Sequence, residues 1–208
     1  LIFYAALGIV AGGRVGYALF YGAGSLWDDP LRVFRLGKGG MAFHGGFLGV
    51  VIAMWLFSRH QKIEFGALVD FIAPLAPVGL ALGRIGNFIN QELWGRPADV
   101  PWAVVFPGDP LGLARHPSQL YQFAMEGVLL FFVLFWYTRS PRPQWSAAGL
   151  FLLGYGLFRS FAEFFREPDA HIGFDVLGWM TRGQLLSLPM IAIGAAIMIW
   201  AYRRDAKK

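Results

Sequence analysis

The chain has 208 residues, of which 56% are apolar and 15% are Asp, Glu, Lys or Arg, whereas a soluble domain averages about 25% charged residues. This composition excludes an ordinary soluble globular protein and is typical of a membrane protein. The net charge is +5 without a run of five or six basic residues, which argues against nucleic-acid binding, and the lack of cysteine excludes disulfides, thiolate metal sites and a thiol nucleophile.

Six apolar segments predict six transmembrane helices. In chain order they cover residues 1–22, 41–58, 67–90, 117–138, 147–165 and 184–202, and Gly, Pro and charged residues separate them. We therefore predict an all-α membrane protein, a polytopic transmembrane helical bundle, with residues 1–208 in a single integral membrane domain. The sequence begins within an apolar stretch at Leu1, so we expect its N-terminus to be truncated, and one further helix before it would give seven in the full-length protein.

The positions of the basic residues predict the orientation of the bundle. On one side they lie in short segments next to span ends, namely Arg59, Lys62, Arg139, Arg142, Arg203, Arg204, Lys207 and Lys208. On the other side they lie in longer loops at about 23–40, 91–116 and 166–183. The positive-inside bias is strongest in short segments close to span ends, so we expect the C-terminus to be cytoplasmic.

Glycines recur at intervals of four residues in three of the predicted helices. They are Gly8, Gly12 and Gly16 in the first, Gly45 and Gly49 in the second, and Gly79 and Gly83 in the third. Such faces let helix backbones approach closely in a membrane. We expect them to serve packing rather than chemistry.

Charged residues within the spans indicate function, because an Arg or Asp at a helix centre costs about 2.5 to 3.5 kcal/mol to insert. Polar residues concentrate at the outer ends of five spans, and these are Arg14, Tyr17, His44, Arg84, Asn87, Asn90, His116, Gln119, Tyr121, Arg159, Glu163 and Arg166. Asp70 is the exception, near the opposite end. Several arginines with Asn and Tyr around a cavity suit a phosphate group, so we predict a phospholipid substrate.

Two alternatives accompany this hypothesis. Arg159 and Glu163, four residues apart on one helix face, could equally form an intramembrane salt bridge that only holds helices together. A transporter or lipid flippase also carries intramembrane Arg and Glu, but it predicts polar residues at the midplane and on both sides. The clustering on one side favours an enzyme. No HExxH motif or His pair at helical spacing occurs, so we predict no metal site.

The stretch Gly83–Gly95, GRIGNFINQELWG, resembles the signature G-R-x-G-N-F-x-N-x-E-x-x-G of the prolipoprotein diacylglyceryl transferase family at every fixed position. Further similarities, in the order of that family, are FHGGFLG at 43–49, HPSQLY at 116–121 and FRSFAEFFREPD at 158–169. The resemblance thus covers essentially the whole chain. It implies a transferase of the bacterial inner membrane with seven spans and a site open to the periplasm, so that the three longer loops are periplasmic.

The reaction implied by the resemblance moves the sn-1,2-diacylglyceryl group of phosphatidylglycerol to the lipobox cysteine of a preprolipoprotein. It forms a thioether, releases glycerol phosphate and is the first step of bacterial lipoprotein maturation. The implied partners are phosphatidylglycerol, the preprolipoprotein signal peptide with its lipobox cysteine, and the lipid bilayer, with no nucleic acid and no cofactor. The lack of cysteine in the chain fits this reaction, because the nucleophile arrives with the substrate.

The chemistry suggests a role for each candidate residue. A leaving phosphate gains negative charge, so we expect Arg84 and Arg159 to stabilise it. His44, which stands beside two glycines and titrates near neutral pH, is the candidate base for the incoming thiol, whereas Glu163 could be the base or could hold Arg159. The other residues expected to bind substrate are Asn87, Asn90, Glu92, Gly95, Arg14, Tyr17, His116, Gln119 and Tyr121.

Overall fold

A computed structural model of the protein describes residues 1–21, 42–167 and 180–207. The predicted loop at 23–40 and most of the loop at 166–183 lie outside these residues. The helices are α1 (Ile2–Tyr21), α2 (Phe43–Gln61), α3 (Phe65–Ile72), α4 (Ala76–Ile89), α5 (Ser118–Gln122), α6 (Leu130–Tyr137), α7 (Ser146–Ala162) and α8 (Arg182–Asp205). A π-helical segment, Phe123–Leu129, joins α5 to α6, and a short antiparallel pair consists of β1 (Val104–Val105) and β2 (Ala114–Arg115).

Each of the six predicted apolar segments coincides with a helix or with consecutive helices. Among the described residues, Ser118–Tyr137 and Gly183–Asp205 are long and apolar enough to cross a membrane, and α3 with α4 adds a third span if the pair counts as one. Ile2–Ala18 and Ser146–Ala162 are apolar but shorter. The structure therefore agrees with a helical membrane protein, and the number of six spans stays a prediction.

The third predicted span is two helices rather than one. α3 and α4 meet at an angle of 43°. Pro74 lies between them and Pro77 lies in the first turn of α4. Proline has no backbone N–H and clashes with the preceding turn, so it is tolerated at a helix start and not in its middle. The apolar pattern alone did not predict this break.

The described residues divide into two compact units, Leu1–Leu68 and Val69–Lys208. In the first unit α1 packs on α2 through glycines: a Cβ atom added to Gly16 would lie 2.7 Å from the Cα of Gly45, and one added to Gly12 2.7 Å from the Cα of Gly49. The predicted small-residue packing is confirmed for this pair. No described residue packs within 4 Å of a Cβ atom added to Gly79 or Gly83, and for these two glycines the packing role stays a prediction.

In the second unit, small residues bring the helices that carry the candidate site together. Gly127 of the π-helical segment lies against Ala81 of α4, where an added Cβ would come within 2.6 Å of the alanine Cβ. Gly149 of α7 and Gly194 of α8 make a similar close approach. As a result, Arg84 of α4 and Arg159 of α7 lie beside Glu126 of the π-helical segment, and Thr181, just before α8, contacts Glu163 at the end of α7.

Asp70, the polar residue at the opposite end of the unit, caps α7. Its carboxylate accepts hydrogen bonds from the backbone N–H groups of Trp145, at 2.5 Å, and Ala148, at 2.9 Å. The first N–H groups of a helix have no partner within the helix, and a carboxylate also interacts favourably with the helix dipole there. Asp70 therefore has a structural reason to lie in an apolar helix.

Candidate active site

Five charged side chains of the second unit form a continuous row, which we call the arginine–glutamate row: Arg84, Glu126, Arg159, Glu163 and Arg166. Glu126 Oε2 lies 3.1 Å from Arg84 Nη2, and its Oε1 lies 3.8 Å from Arg159 Nη1. Glu163 Oε1 lies 2.5 Å from Arg159 Nη2 and 3.2 Å from Arg166 Nη1. Positive and negative charges alternate along the row, and the arginines outnumber the carboxylates by one.

The two carboxylates of the row are more deeply buried than the arginines. The side chains of Glu126 and Glu163 are 0% and 3% exposed, whereas those of Arg84 and Arg159 are 16% and 12% exposed. The glutamates thus hold the guanidinium groups from inside the unit, and an incoming molecule meets positive charge. A buried charge must be paired, and here each carboxylate is shared by two arginines.

Glu126 links the two halves of the row. It lies in the π-helical segment, where one turn contains an extra residue, and such turns are frequent at functional sites. The sequence analysis did not include Glu126 among the site residues. Its position inside an apolar span was the available signal, but the contact with Arg84, 42 residues earlier, depends on tertiary packing.

Thr181 is a second residue that the sequence analysis missed. Its hydroxyl donates a hydrogen bond of 2.7 Å to Glu163 Oε2 and also accepts one from the backbone N–H of Gln184. The Gln184 side chain accepts in turn from the backbone N–H of Thr181, which completes a capping box at the start of α8. The spacing T-x-x-Q at 181–184 could have revealed the cap, but not its contact with Glu163.

Open space borders Arg84 on its own helix. A Cβ atom added to Gly83 or Gly86 would meet no described atom within 4 Å. A partly exposed guanidinium beside this space can receive a ligand. Tyr155 of α7 lies close enough to Arg84, Glu126 and Arg159 to interact electrostatically with each of them.

Three polar residues after Arg84 form a cluster at the end of α4, which we call the Asn–Glu cluster. Asn87 Nδ2 and Asn90 Nδ2 donate hydrogen bonds to Glu92 Oε1 at 3.1 Å and 3.3 Å. The backbone can turn back in this way because Gln91 and Leu93 adopt positive φ angles of 57° and 59°. The three predicted head-group residues therefore lie together, about one helical turn from Arg84.

Gly95 joins two loops at the same end of the unit. Its backbone N–H donates to the carbonyl of His116 at 2.9 Å, and the next N–H, of Arg96, donates to the carbonyl of Phe165 at 2.9 Å. A Cβ atom on Gly95 would come within 3 Å of both carbonyl oxygens, so only glycine fits. This close backbone contact explains the glycine without a ligand, and its predicted role in substrate binding stays a prediction.

His116, Gln119 and Tyr121 lie in hydrogen bonds that fix the loop before α5. Tyr121 Oη lies 3.0 Å from His116 Nδ1 and accepts a hydrogen bond of 2.7 Å from Trp102 Nε1. Gln119 Nε2 donates to the backbone carbonyl of Glu92 at 2.7 Å. Through these contacts the HPSQLY motif supports the loop that carries the Asn–Glu cluster.

An ion pair stabilises the hairpin of the same loop. Arg115 Nε lies 2.7 Å from Asp109 Oδ2, and both side chains are buried. The Arg115 guanidinium holds the pKa of Asp109 at about 2, well below its usual range. Because the folded-state pKa is depressed, this carboxylate contributes stability above pH 4, and that stability is lost as the pH falls towards 2. The pair therefore stays ionised throughout the physiological range.

Three predicted site residues belong to the first unit. Arg14 and Tyr17 lie on one face of α1, and Arg14 is buried, with 6% of its surface exposed. His44 is in the first turn of α2, and its side chain lies outside the described part of the structure. The roles predicted for these residues stay predictions.

Comparison with known proteins agrees with the resemblance seen in the motifs. The model of the family described as prolipoprotein diacylglyceryl transferase matches residues 1–200. A protein of Teredinibacter turnerae named phosphatidylglycerol--prolipoprotein diacylglyceryl transferase is 61% identical over 206 residues, 99% of this chain and 72% of its own length. Proteins with the same name from Azotobacter vinelandii and Pseudomonas syringae are 56% and 57% identical over 207 residues, which cover 78% and 77% of their lengths.

Proposed function

The chain belongs to the prolipoprotein diacylglyceryl transferase family, and from this we propose that the arginine–glutamate row is the centre at which it transfers the diacylglyceryl group of phosphatidylglycerol to a prolipoprotein. It is a membrane-bound transferase of lipoprotein biosynthesis. The acceptor is the lipobox cysteine in the signal peptide of the preprolipoprotein. The observation that carries the proposal is the row itself, because it presents partly exposed arginines over two buried carboxylates.

The reaction needs positive charge where the leaving group departs. The substrate thiol loses its proton, its sulfur forms a bond with the terminal glycerol carbon of the diacylglyceryl group, and the bond from that carbon to the phosphate oxygen breaks. Glycerol phosphate leaves with that oxygen and gains one negative charge. Arg84 and Arg159, both held by Glu126, stabilise this charge, and fixed donors are effective because they need no reorganisation during the reaction.

The Asn–Glu cluster supports recognition of the head group. Glu92 and Asn90 are exposed at the end of α4, and the Glu92 carboxylate keeps an oxygen available besides the one that the two asparagines contact. A carboxylate and two amides can exchange hydrogen bonds with the hydroxyl groups of a glycerol. We assign the phosphate to Arg84 and Arg159 and the glycerol to this cluster.

Contacts of Glu163 favour His44 as the base for the thiol. Glu163 Oε1 faces Arg159 and Arg166, and its Oε2 accepts from Thr181, so a proton taken up there would disrupt an existing contact. A carboxylate held in this way is better suited to positioning Arg159. In the proposed mechanism His44 accepts the proton and Glu163 is a positioning residue.

The transfer itself tests the proposed function. The purified full-length protein is mixed with phosphatidylglycerol labelled in its acyl chains and a lipobox peptide, without added nucleotide or metal. We expect labelled peptide containing a thioether, together with equimolar glycerol phosphate. A peptide with serine in place of the lipobox cysteine is the control and should remain unlabelled, since a neutral hydroxyl is a weaker nucleophile than a thiolate. Absence of label in the cysteine peptide would contradict the proposal.

Replacing His44 by glutamine tests the base. The variant keeps a polar side chain but removes a group that titrates near neutrality. We expect the largest loss of rate at pH 6 to 7 and a smaller one towards pH 9, because a thiol with a pKa of about 8.5 ionises unaided there. The ratio of variant to parent rates is measured with saturating lipid. A ratio that does not change with pH would exclude His44 as the base and favour Glu163.

For the orientation we propose six spans in this chain and seven in the full-length protein, in the bacterial inner membrane, with the active site on the periplasmic side and a cytoplasmic C-terminus. Residues 1–208 contain no cysteine, so a single cysteine introduced among them is the one thiol of this part of the protein. We expect Asp99→Cys, in the exposed part of the 91–116 loop, to react with an impermeant thiol reagent in intact cells. Ser140→Cys, exposed between α6 and α7, should react only after permeabilisation, and the reverse pattern would refute this orientation.

A further inference from the structure

A pocket lies far from the arginine–glutamate row. It has a volume of about 630 Å³ and lies where the end of α3, the turn between α6 and α7, and the start of α7 meet. At 1.5 Å per residue, α7 carries Arg159 about 20 Å away from Ser146 in this pocket. The pocket and the row are therefore at opposite ends of the second unit.

The lining of this pocket is divided into an apolar and a polar wall. Phe71, Pro74 and Leu75, at the break between α3 and α4, form the apolar wall. The turn after α6 forms the polar wall, with Thr138, Arg139, Ser140, Pro141 and Arg142. Apolar surface beside basic and hydroxyl groups matches the boundary between the acyl chains and the phosphate of a phospholipid.

The two arginines of the polar wall are held by aromatic rings. The Cζ atom of Arg139 lies 5.0 Å from the ring centre of Phe135, and that of Arg142 lies 4.6 Å from the ring centre of Tyr137. Arg142 Nε also donates a hydrogen bond of 2.8 Å to the backbone carbonyl of Tyr137. These contacts restrain both exposed side chains, and their terminal nitrogens can still receive a ligand.

The pocket carries excess positive charge. Within residues 42–167 and the other described ranges, no carboxylate lies within 4 Å of the Arg139 or Arg142 guanidinium. Asp70 is the acidic residue of the lining, and both of its oxygens accept backbone hydrogen bonds at the start of α7. Its charge thus interacts with the end of a helix, and the two guanidinium groups remain for an anion.

We propose that this pocket binds the phosphate head group of an anionic phospholipid, in the leaflet opposite to the one in which the transfer takes place. A free phosphate ion would use the arginines but not the apolar wall. Trp136 at the end of α6 is 62% exposed, as expected of an aromatic residue at the membrane interface beside such a site. The bound lipid stabilises this end of the unit and does not react.

The basic end of α8 provides a matched control. Arg203, Arg204 and Lys207 line another pocket, of about 590 Å³, whose lining comes from α8 and the residues directly after it. A surface on one helix attracts anionic lipids by charge but has no second wall to hold one molecule. We therefore expect bound lipid to depend on the arginines of the turn and not on those of α8.

Native mass spectrometry of the full-length protein in detergent tests this proposal. The parent, R139Q/R142Q and R203Q/R204Q are titrated with short-chain phosphatidylglycerol and, separately, with inorganic phosphate. We expect R139Q/R142Q to retain one lipid fewer than the parent. Its affinity for that lipid should fall about thirtyfold, since each basic residue beside an anionic lipid is worth about fivefold. R203Q/R204Q should bind as the parent does.

Turnover and the comparison of the variants and ligands complete the test. Turnover at saturating lipid should be unchanged in R139Q/R142Q, which shows that the lost lipid was not in the active site. Equal losses of bound lipid in both double variants would refute the proposed site and indicate a general attraction of lipid to basic residues. Retention of inorganic phosphate with the affinity of the lipid would also overturn the proposal, because the apolar wall would then contribute nothing.

Discussion

Replacing Arg84 by lysine is expected to lower the turnover of diacylglyceryl transfer about hundredfold or more, with normal folding and membrane insertion. Lysine keeps the charge but loses the planar group with several donors, which can contact Glu126 and a phosphate at the same time. Removing one donor that stabilises a developing negative charge typically costs a factor of 10² to 10³. The loss should appear in kcat more than in KM, because the charge develops only during the reaction.

Arg204→Lys is the matched control for this experiment. Arg204 also contacts an aromatic side chain, with its Cζ atom 5.4 Å from the ring centre of Trp200, but it lies at the far end of α8. Turnover of both variants is measured with saturating lipid and peptide. Activity of Arg84→Lys close to that of the parent would show that Arg84 is a structural charge and not a contact of the leaving phosphate.

Replacing Glu126 by glutamine is the second change for which we expect a large effect. The fully buried carboxylate pairs with both Arg84 and Arg159, so its loss raises the net charge of the row by one, releases the Arg84 guanidinium and leaves Arg159 paired with Glu163 alone. Removing one partner of a buried ion pair costs about 3 to 5 kcal/mol. We expect a lower thermal unfolding midpoint and a loss of turnover of about hundredfold, because Arg84 would no longer be held in position beside Arg159.

Two companion variants separate stability from catalysis at Glu126. Glu126→Asp keeps the charge with a shorter side chain and should recover part of both losses. Asp205→Asn removes a carboxylate from an exposed position at the end of α8, and both quantities should stay near those of the parent. If Glu126→Gln kept the turnover of the parent, Glu126 would have no positioning role and the two halves of the row would act independently.

Several features of the site were predictable from local sequence. Arg159 and Glu163 are four residues apart and pair as helical spacing predicts, and the cluster of Asn87, Asn90 and Glu92 follows from the residues at one helix end. The contact of Glu163 with Thr181 was not predictable, since the two residues are 18 positions apart in the chain and their approach depends on tertiary packing. Asp70 appeared anomalous in the sequence because it is a charged residue in an apolar helix. The structure explains it, since its carboxylate accepts a hydrogen bond at the start of α7, 75 residues later in the chain.

The sequence by itself determined the membrane class, the position of the helices and the family. Hydropathy, glycine spacing and signature residues are properties of short segments, and a membrane allows few alternatives to the helix because every backbone polar group must be paired. The prolines at 74 and 77 are also local, although hydropathy alone did not predict the 43° bend at them. Only the tertiary structure decided that Glu126 joins Arg84 to Arg159. This junction depends on which helix faces meet, and that is set by packing between residues distant in the chain, which no local pattern specifies.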